Sequence, residues 1–293
     1  MREGKPPLKT IGVLGGIGPQ ATMDFEARVH AISQRLIEPE GNRGYPPLIV
    51  YYHRRLSVIV GEDGEPVDTD SYDGFRICAV SLGIKTGFFK RINGLQSHMS
   101  DPLHTILFQQ LVHVYDTHHK SRCQPVQPLQ PDPLLLEAAR TLSTMAHFLV
   151  IASNSVNMMR EAFEAATGRL VLSMIETTIE EVRRRRWRRV GMLTFRSIPV
   201  YTEPLRELGM TCETIPTNLA GSLDQAITAL SAGIETEHDR SVAREAVAVL
   251  RARDVDGIIL GCTEIPLLLQ EEAADLINPL HLLAEAAVKH ALQ

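Results

Sequence analysis

Four cysteines in 293 residues, none of them in C-x-x-C spacing, are too few and too scattered (Cys78, Cys123, Cys212, Cys262) for a disulfide framework. They read as free thiols. The opening Met-Arg-Glu-Gly-Lys-Pro-Pro lacks the apolar stretch of a signal peptide, and no apolar run approaches membrane-spanning length. A cytoplasmic protein with no membrane partner is therefore expected. A net charge of -5 leaves no general basic surface for nucleic acid. One basic run exists, Arg183-Arg-Arg-Arg-Trp187-Arg-Arg189, but it falls at the end of an expected helix, where cations suit the helix dipole. There are only six lysines, none in the glycine-rich phosphate context of a pyridoxal site. His113, His118, His119 and Cys123 match no standard zinc spacing. Neither metal nor cofactor is expected.

What is present is an ordinary globular composition, 44% hydrophobic and 22% charged, in which strands alternate with helices. Strands are read at Thr10–Leu14, Leu48–Tyr52, Phe148–Ile151, Arg189–Leu193, Thr211–Thr214 and Gly257–Leu260. Helices are read at about Ala21–Leu36, Asp132–Met145, Ile175–Arg186, Asp239–Ala252 and Leu280–Leu292. Each half opens with a strand and a polar loop (Ile11–Gly18; Val190–Ser197) and later reaches a strand that stops at a small polar residue. Gly12 to Ser153 spans 141 positions and Gly191 to Cys262 spans 71, so the first half carries an insertion if the two are equivalent. Residues 73–131 hold it, with five histidines, no sustained period and a Gln/Pro-rich end.

Two of these strand ends carry the chemistry. Phe148-Leu-Val-Ile-Ala runs into Ser153-Asn154-Ser155, and Gly257-Ile-Ile-Leu-Gly runs into Cys262-Thr263-Glu264-Ile265-Pro266. At the carboxyl end of a parallel strand such a turn faces the crevice where α/β proteins bind ligands, and the following helix N–H groups favour an anion. A thiol at a helix N-terminus should have a lowered pKa, with Thr263 as cap; a small buried core cysteine is the alternative. Ser153 or Ser155 can cap a helix starting near Val156 and still leave its N–H groups for a carboxylate. The loop Gly15-Gly16-Ile17-Gly18 lacks G-x-G-x-x-G spacing and ends in Pro19, which suits close approach to a small anion or a plain tight turn better than a pyrophosphate.

Taken together, Ile11-Gly-Val-Leu-Gly-Gly-Ile-Gly-Pro-Gln-Ala-Thr22, Ser153-Asn154-Ser155, Val190-Gly-Met-Leu-Thr194, Gly261-Cys-Thr-Glu-Ile-Pro-Leu267 and Ala284-Glu-Ala-Ala-Val288 resemble the aspartate/glutamate racemase family. The resemblance implies an α/β fold of two similar parallel-sheet domains, Rossmann-like or flavodoxin-like, with pseudo-twofold symmetry and an interdomain active site. The first domain would be 8–172 with 275–293, carrying the insertion 73–131, and the second 173–274. It implies cofactor-independent racemisation of a small acidic amino acid by two groups on opposite faces of the α-carbon, here Cys262 as base and Ser153 in place of a second thiol. Gly16, Ile17, Gly18, Thr22, Asn154, Ser155, Thr263 and Glu264 would be substrate-binding, with Arg196 the candidate basic residue. Asn157 stands where the family has a histidine, and Asn278-Pro-Leu-His281 replaces its late Asp-Thr-Thr-x-x-His motif. A decarboxylase or cis–trans isomerase using Cys262 alone, and a catalytically silent ligand-binding homologue, are the competing readings. A homodimer is the default expectation for a small α/β enzyme.

Overall fold

Ile11-Gly-Val-Leu-Gly15 forms β1, and every residue in it is buried. A strand covered on both faces belongs in a parallel sheet between helices. The computed structural model describes residues 7–53, 57–60, 66–68, 129–195 and 200–293. Parallel pairing joins β1 to β2 (Leu48–Tyr52) and to β5 (Phe148–Ile151), and β6 (Val171–Leu172) completes a sheet ordered β2-β1-β5-β6. A second parallel sheet is built from β7 (Arg189–Leu193), β8 (Thr211–Thr214), β9 (Gly257–Leu260) and β10 (Leu276–Ile277), ordered β10-β9-β7-β8. Within each half, counted along the chain, both sheets read second, first, third, fourth strand. This is the opening order of a flavodoxin-like sheet, whose ligand crevice lies where the order reverses, between first and third strands.

The register makes the repeat explicit. Gly12 lies opposite Leu149 on β5, and Gly191 lies opposite Ile258 on β9. Four residues beyond Leu149 is Ser153, and four beyond Ile258 is Cys262. The two strand ends therefore occupy equivalent places in equivalent sheets. Both glycines sit in tight packing: a methyl on Gly12 would come within 2.6 Å of Leu149 and 2.7 Å of the Ala146 methyl, and one on Gly191 within 3.0 Å of Ile258.

Ten helices are described: α1 (Pro19–Leu36), α2 (Pro133–Ser143), α3 (Asn154–Asn157), α4 (Arg160–Thr167), α5 (Met174–Arg184), α6 (Thr202–Glu207), α7 (Thr217–Ala232), α8 (Glu237–Arg251), α9 (Ile265–Leu269) and α10 (Pro279–Ala291). Helix α1 buries Ala21, Phe25, Val29 and Ile32 against β1 and against Leu283, Ala287 and Val288 of α10. Each large side chain so buried contributes about 1.5–3 kcal/mol relative to exposure. The second core joins Leu223 and Ile227 of α7, Val247 and Leu250 of α8, and Ile258 and Leu260 of β9, with Cys262 at its margin.

Some elements differ from the sequence expectation. Helix α8 begins at Glu237 because Thr236 and Asp239 form a reciprocal capping box ahead of the apolar stripe. Helices α6 and α7, the strands at Ser57–Val60 and Pro66–Asp68, and the two-residue strands β6 and β10 were not foreseen, and the helix expected near Val156 is divided into α3 and α4. The apolar spacing of Leu219, Leu223, Ala226, Ile227 and Leu230 is helical, but Gly221 and several Ser and Thr residues dilute it. A strand of two residues has no period to detect.

The described residues fall into two compact units. Both sheets lie in the larger (Met1–Arg54, Leu136–Phe195 and Pro199–Gln293). In the smaller, β3 (Ser57–Val60) pairs antiparallel with β4 (Pro66–Asp68). Nearly all of the expected insertion 73–131 lies outside the described residues. We propose the domain boundaries given above; the return of 275–293 to the first half accords with the packing of α10 on α1, while Met174 of α5 also sits in the first core. No helix among the described residues is long and apolar enough to cross a membrane.

Candidate active site

At the end of β1, Gly16 and Gly18 take φ of 83° and 87°, the left-handed region that glycine enters without strain. Thr22 braces the turn: its hydroxyl accepts from the Gly16 N–H at 2.8 Å and donates to the Gly18 carbonyl at 3.1 Å. Thr22 is fully buried and its hydroxyl is committed on both sides, so its part is to hold the loop rather than to touch a ligand. On the other side the loop lies against the backbone of His53, which a methyl on Gly16 would approach to 2.6 Å. Buried His53, at the carboxyl end of β2, is a loop neighbour that the sequence reading missed; its place one residue beyond an apolar strand was the available signal.

Beyond β5, Ser153 occupies the N-cap position of α3 with extended backbone, yet its side chain makes no capping bond. Its hydroxyl lies 3.4 Å from that of Ser155, a long contact that leaves it nearly uncommitted. The turn is held instead by Asn157, whose amide donates to the carbonyls of Ile151 (2.9 Å) and Ser153 (2.7 Å) and accepts from the Met174 N–H (3.0 Å). The residue standing where the family has a histidine is thus a brace between this turn and α5. Asn154 is buried, accepts the Tyr201 hydroxyl proton at Oδ1, and has no partner for Nδ2 among the described residues.

Beyond β9, the Cys262 thiol donates to Glu264 Oε2 at 3.1 Å, and the Thr263 hydroxyl donates to the same oxygen at 2.9 Å. Two expectations are corrected here. Thr263 does not cap the helix; Glu264 holds the cap position and makes no side-chain capping bond. Nor is the thiol pKa lowered: burial pushes it well above the ordinary thiol value, and the Glu264 carboxylate adds to the rise. Helix α9 has only five residues, too short for its dipole to oppose burial beside a carboxylate.

The Gly16–Gly18 loop and the Cys262 turn come together at Glu264. Its Oε1 lies where a methyl on Gly18 would stand, and the φ of 87° strains any other residue there. Of the other sequence candidates, Arg196 lies outside the described residues. Asn278 caps α10 by accepting from the Leu280 N–H, and His281 meets Arg28 at 3.2 Å in a half-buried ionic cluster. The arginine run is occupied structurally: Arg184 and Arg185 both bind Glu181, holding its pKa near 2, and Arg185 stacks over Trp187. Among the described residues no group of His, Cys, Asp or Glu has the arrangement of a metal site, and His113, His118, His119 and Cys123 lie outside them.

Two parallel sheets of one strand order, each ending in a polar turn where the order reverses, define a doubly wound α/β protein with a repeated half. A model of the Asp/Glu/hydantoin racemase family matches residues 89–291, and the chain belongs to that family. Solved structures of similar fold include a Yersinia pestis protein provisionally called an Asp/Glu racemase (20% identity, TM-score 0.61, covering 98% of this chain and 100% of that one). An aspartate racemase homologue from Pyrococcus horikoshii is 18% identical with a TM-score of 0.60, covering 98% and 100%. The aspartate racemase of Picrophilus torridus is 17% identical with a TM-score of 0.60, covering 97% and 94%. At such identities the likeness speaks for the fold.

Proposed function

We propose that this member of the racemase family inverts the α-carbon of a small acidic amino acid, aspartate or glutamate, with Cys262 and Ser153 as the two proton-handling groups and without a cofactor. The reading is carried by one observation: Ser153 and Cys262 stand four residues beyond register-equivalent positions of two sheets of the same order. Proton return from the face opposite removal needs a second proton-handling group on that face, and a repeated half supplies a matched position for one.

The two groups are unequal. Cys262 rests as a thiol, and Glu264 Oε2 at 3.1 Å is the base that takes its proton. The thiolate so formed removes the α-proton, leaving a planar carbanion that the substrate carboxylate stabilises. From the other face the Ser153 hydroxyl delivers a proton, and its oxygen is reprotonated from solvent. In the reverse direction Ser153 would have to act as base, which a hydroxyl of ordinary pKa does poorly. Asn154, Ser155 and the Gly16–Gly18 backbone hold the α-carboxylate.

The test is α-proton exchange and chiral analysis in heavy water with each enantiomer of aspartate and glutamate. The expected result is exchange for at least one enantiomer, with one exchanging faster than it inverts. Absence of exchange for all four sinks the reading, and turnover of a substituted malonate or of maleate would replace it with the decarboxylase or isomerase alternative.

A further inference from the structure

Tyr201 was not among the residues that the sequence singled out, yet it touches both turns. It is fully buried, at the N-terminus of α6. Its ring edge lies against the residue preceding Cys262, since a methyl on Gly261 would stand 3.4 Å from Tyr201 Cδ2. Its hydroxyl, at the far end of the ring, donates to Oδ1 of Asn154, the residue following Ser153. One rigid side chain therefore runs from the backbone beside the thiol to the amide beside the serine.

The direction of that hydrogen bond has a chemical consequence. The oxygen and nitrogen of an asparagine amide are nearly isosteric, so only the surrounding hydrogen bonds decide which way the group faces. Burial pushes the phenol pKa up and keeps the hydroxyl protonated at working pH. As the donor it selects Oδ1, and Nδ2 turns the other way. Asn154 is only 6% exposed, and Nδ2 is inaccessible and without a partner among the described residues. Proteins seldom leave a buried amide N–H₂ unmet unless something else completes it.

We propose that Tyr201 is a positioning residue that fixes the Asn154 amide so that its N–H₂ faces the carboxylate of the bound acid. The inference rests on the assignment of Asn154 to substrate binding made above. A Tyr201 with this role acts on recognition of the carboxylate more than on the proton-transfer step, and its effect exists only while Asn154 is present.

A double-mutant cycle on the full chain tests it, with Tyr201→Phe, Asn154→Ala and the double variant. For racemisation, Tyr201→Phe should raise KM about tenfold with a smaller change in kcat, and the double variant should be no worse than Asn154→Ala alone. A purely structural tyrosine would lower thermal stability with KM unchanged, or would add its effect to that of Asn154→Ala; either result overturns the proposal. Calorimetric titration with succinate separates this from failure of the racemase reading. If the wild type exchanges no α-proton, succinate binding should still weaken about tenfold in Tyr201→Phe and no further in the Asn154→Ala background. Succinate that does not bind the wild type, or binds Tyr201→Phe equally well, overturns the proposal. Should Tyr201→Phe not fold, Asn154→Asp keeps an acceptor for the phenol but replaces N–H₂ by oxygen. It should lose succinate binding, and full retention would overturn the proposal.

Discussion

The Ser153 and Cys262 turns hold equivalent places in two sheets of one order, but they are built on different principles. In the first, a neutral amide, Asn157, clamps two backbone carbonyls and ties them to the start of α5, leaving the Ser153 hydroxyl with one long contact. In the second, a carboxylate, Glu264, binds the thiol itself and the neighbouring hydroxyl, and presses against Gly18 of the opposite half. A duplicated fold thus supplies two matched positions without supplying matched reactivity. Reactivity follows from the side chains packed round each position, both of them buried: polar and neutral about the serine, anionic about the thiol.

The comparison breaks most easily at Cys262. Replacement by alanine should reduce turnover by about a thousandfold or more, measured as racemisation and as α-proton exchange, because no other described group beside that turn offers a thiol. If Ser153→Ala lost as much, the proposed inequality of the two groups would be wrong; a loss of only about tenfold is expected. Ser153→Cys sharpens the same point, since a second ionisable group should bring inversion closer to exchange for the slower enantiomer.

Next in size are the supports. Asn157→Ala takes the side-chain partner from the Ile151 carbonyl and the Met174 N–H in a buried turn, while the Ser153 carbonyl keeps the backbone N–H of residue 157 at 3.3 Å; it should cost about 2–4 kcal/mol, read by urea denaturation. Gly18→Ala puts a side chain at φ 87° and against Glu264, so a cost of about 1–2 kcal/mol in backbone strain alone is expected, with a lowered Tm and impaired activity.

A smaller effect concerns pH. Because the folded state raises the Cys262 pKa, its stabilising contribution is complete below the unfolded thiol pKa and disappears as pH rises through the folded value. Alkylation of Cys262 by iodoacetamide near pH 8, followed by mass spectrometry, should be slower than for free cysteine. Glu264→Gln, by removing the charge, should bring the rate up. Smallest of all is Glu181→Gln, remote from both turns. Its carboxylate is held near 2, so it stabilises above the ordinary carboxylate range, and that contribution fades as pH falls from 4.5 toward 2. Exposed arginines and salt screening keep the gain small, and turnover should be unchanged.

Much of the fold was legible because strands such as β1, β5 and β9 are buried along their whole length and therefore read as short unbroken apolar runs. Five strands, Leu48–Tyr52, Phe148–Ile151, Arg189–Leu193, Thr211–Thr214 and Gly257–Leu260, have the bounds expected from sequence. The order of elements, a strand and polar loop followed later by a strand ending in a small polar residue, exposed the repeat before any pairing was known, and the unequal spacings pointed to the insertion. Within the candidate site, residue identity was legible and environment was not. The thiol pKa was read from helix position alone and came out with the wrong sign, because local position carries no information about how deeply a group is buried or which carboxylate faces it. The family resemblance implies Thr22 as a ligand contact, whereas its hydroxyl closes the glycine loop. Tyr201 was invisible because it acts on residues far away in the chain, and His53 offered only its place just beyond β2.

The sequence by itself determined the alternation of strand and helix, the doubling of the half and the place of a serine and a cysteine at matching strand ends, since these depend on local hydrophobic period and spacing. Only the tertiary structure decided that Glu264 stands between the thiol and Gly18, that Asn157 is a brace, and that Tyr201 orients Asn154. Such relations are set by contacts between segments up to hundreds of residues apart, where desolvation and hydrogen-bond direction, rather than propensity, choose the outcome.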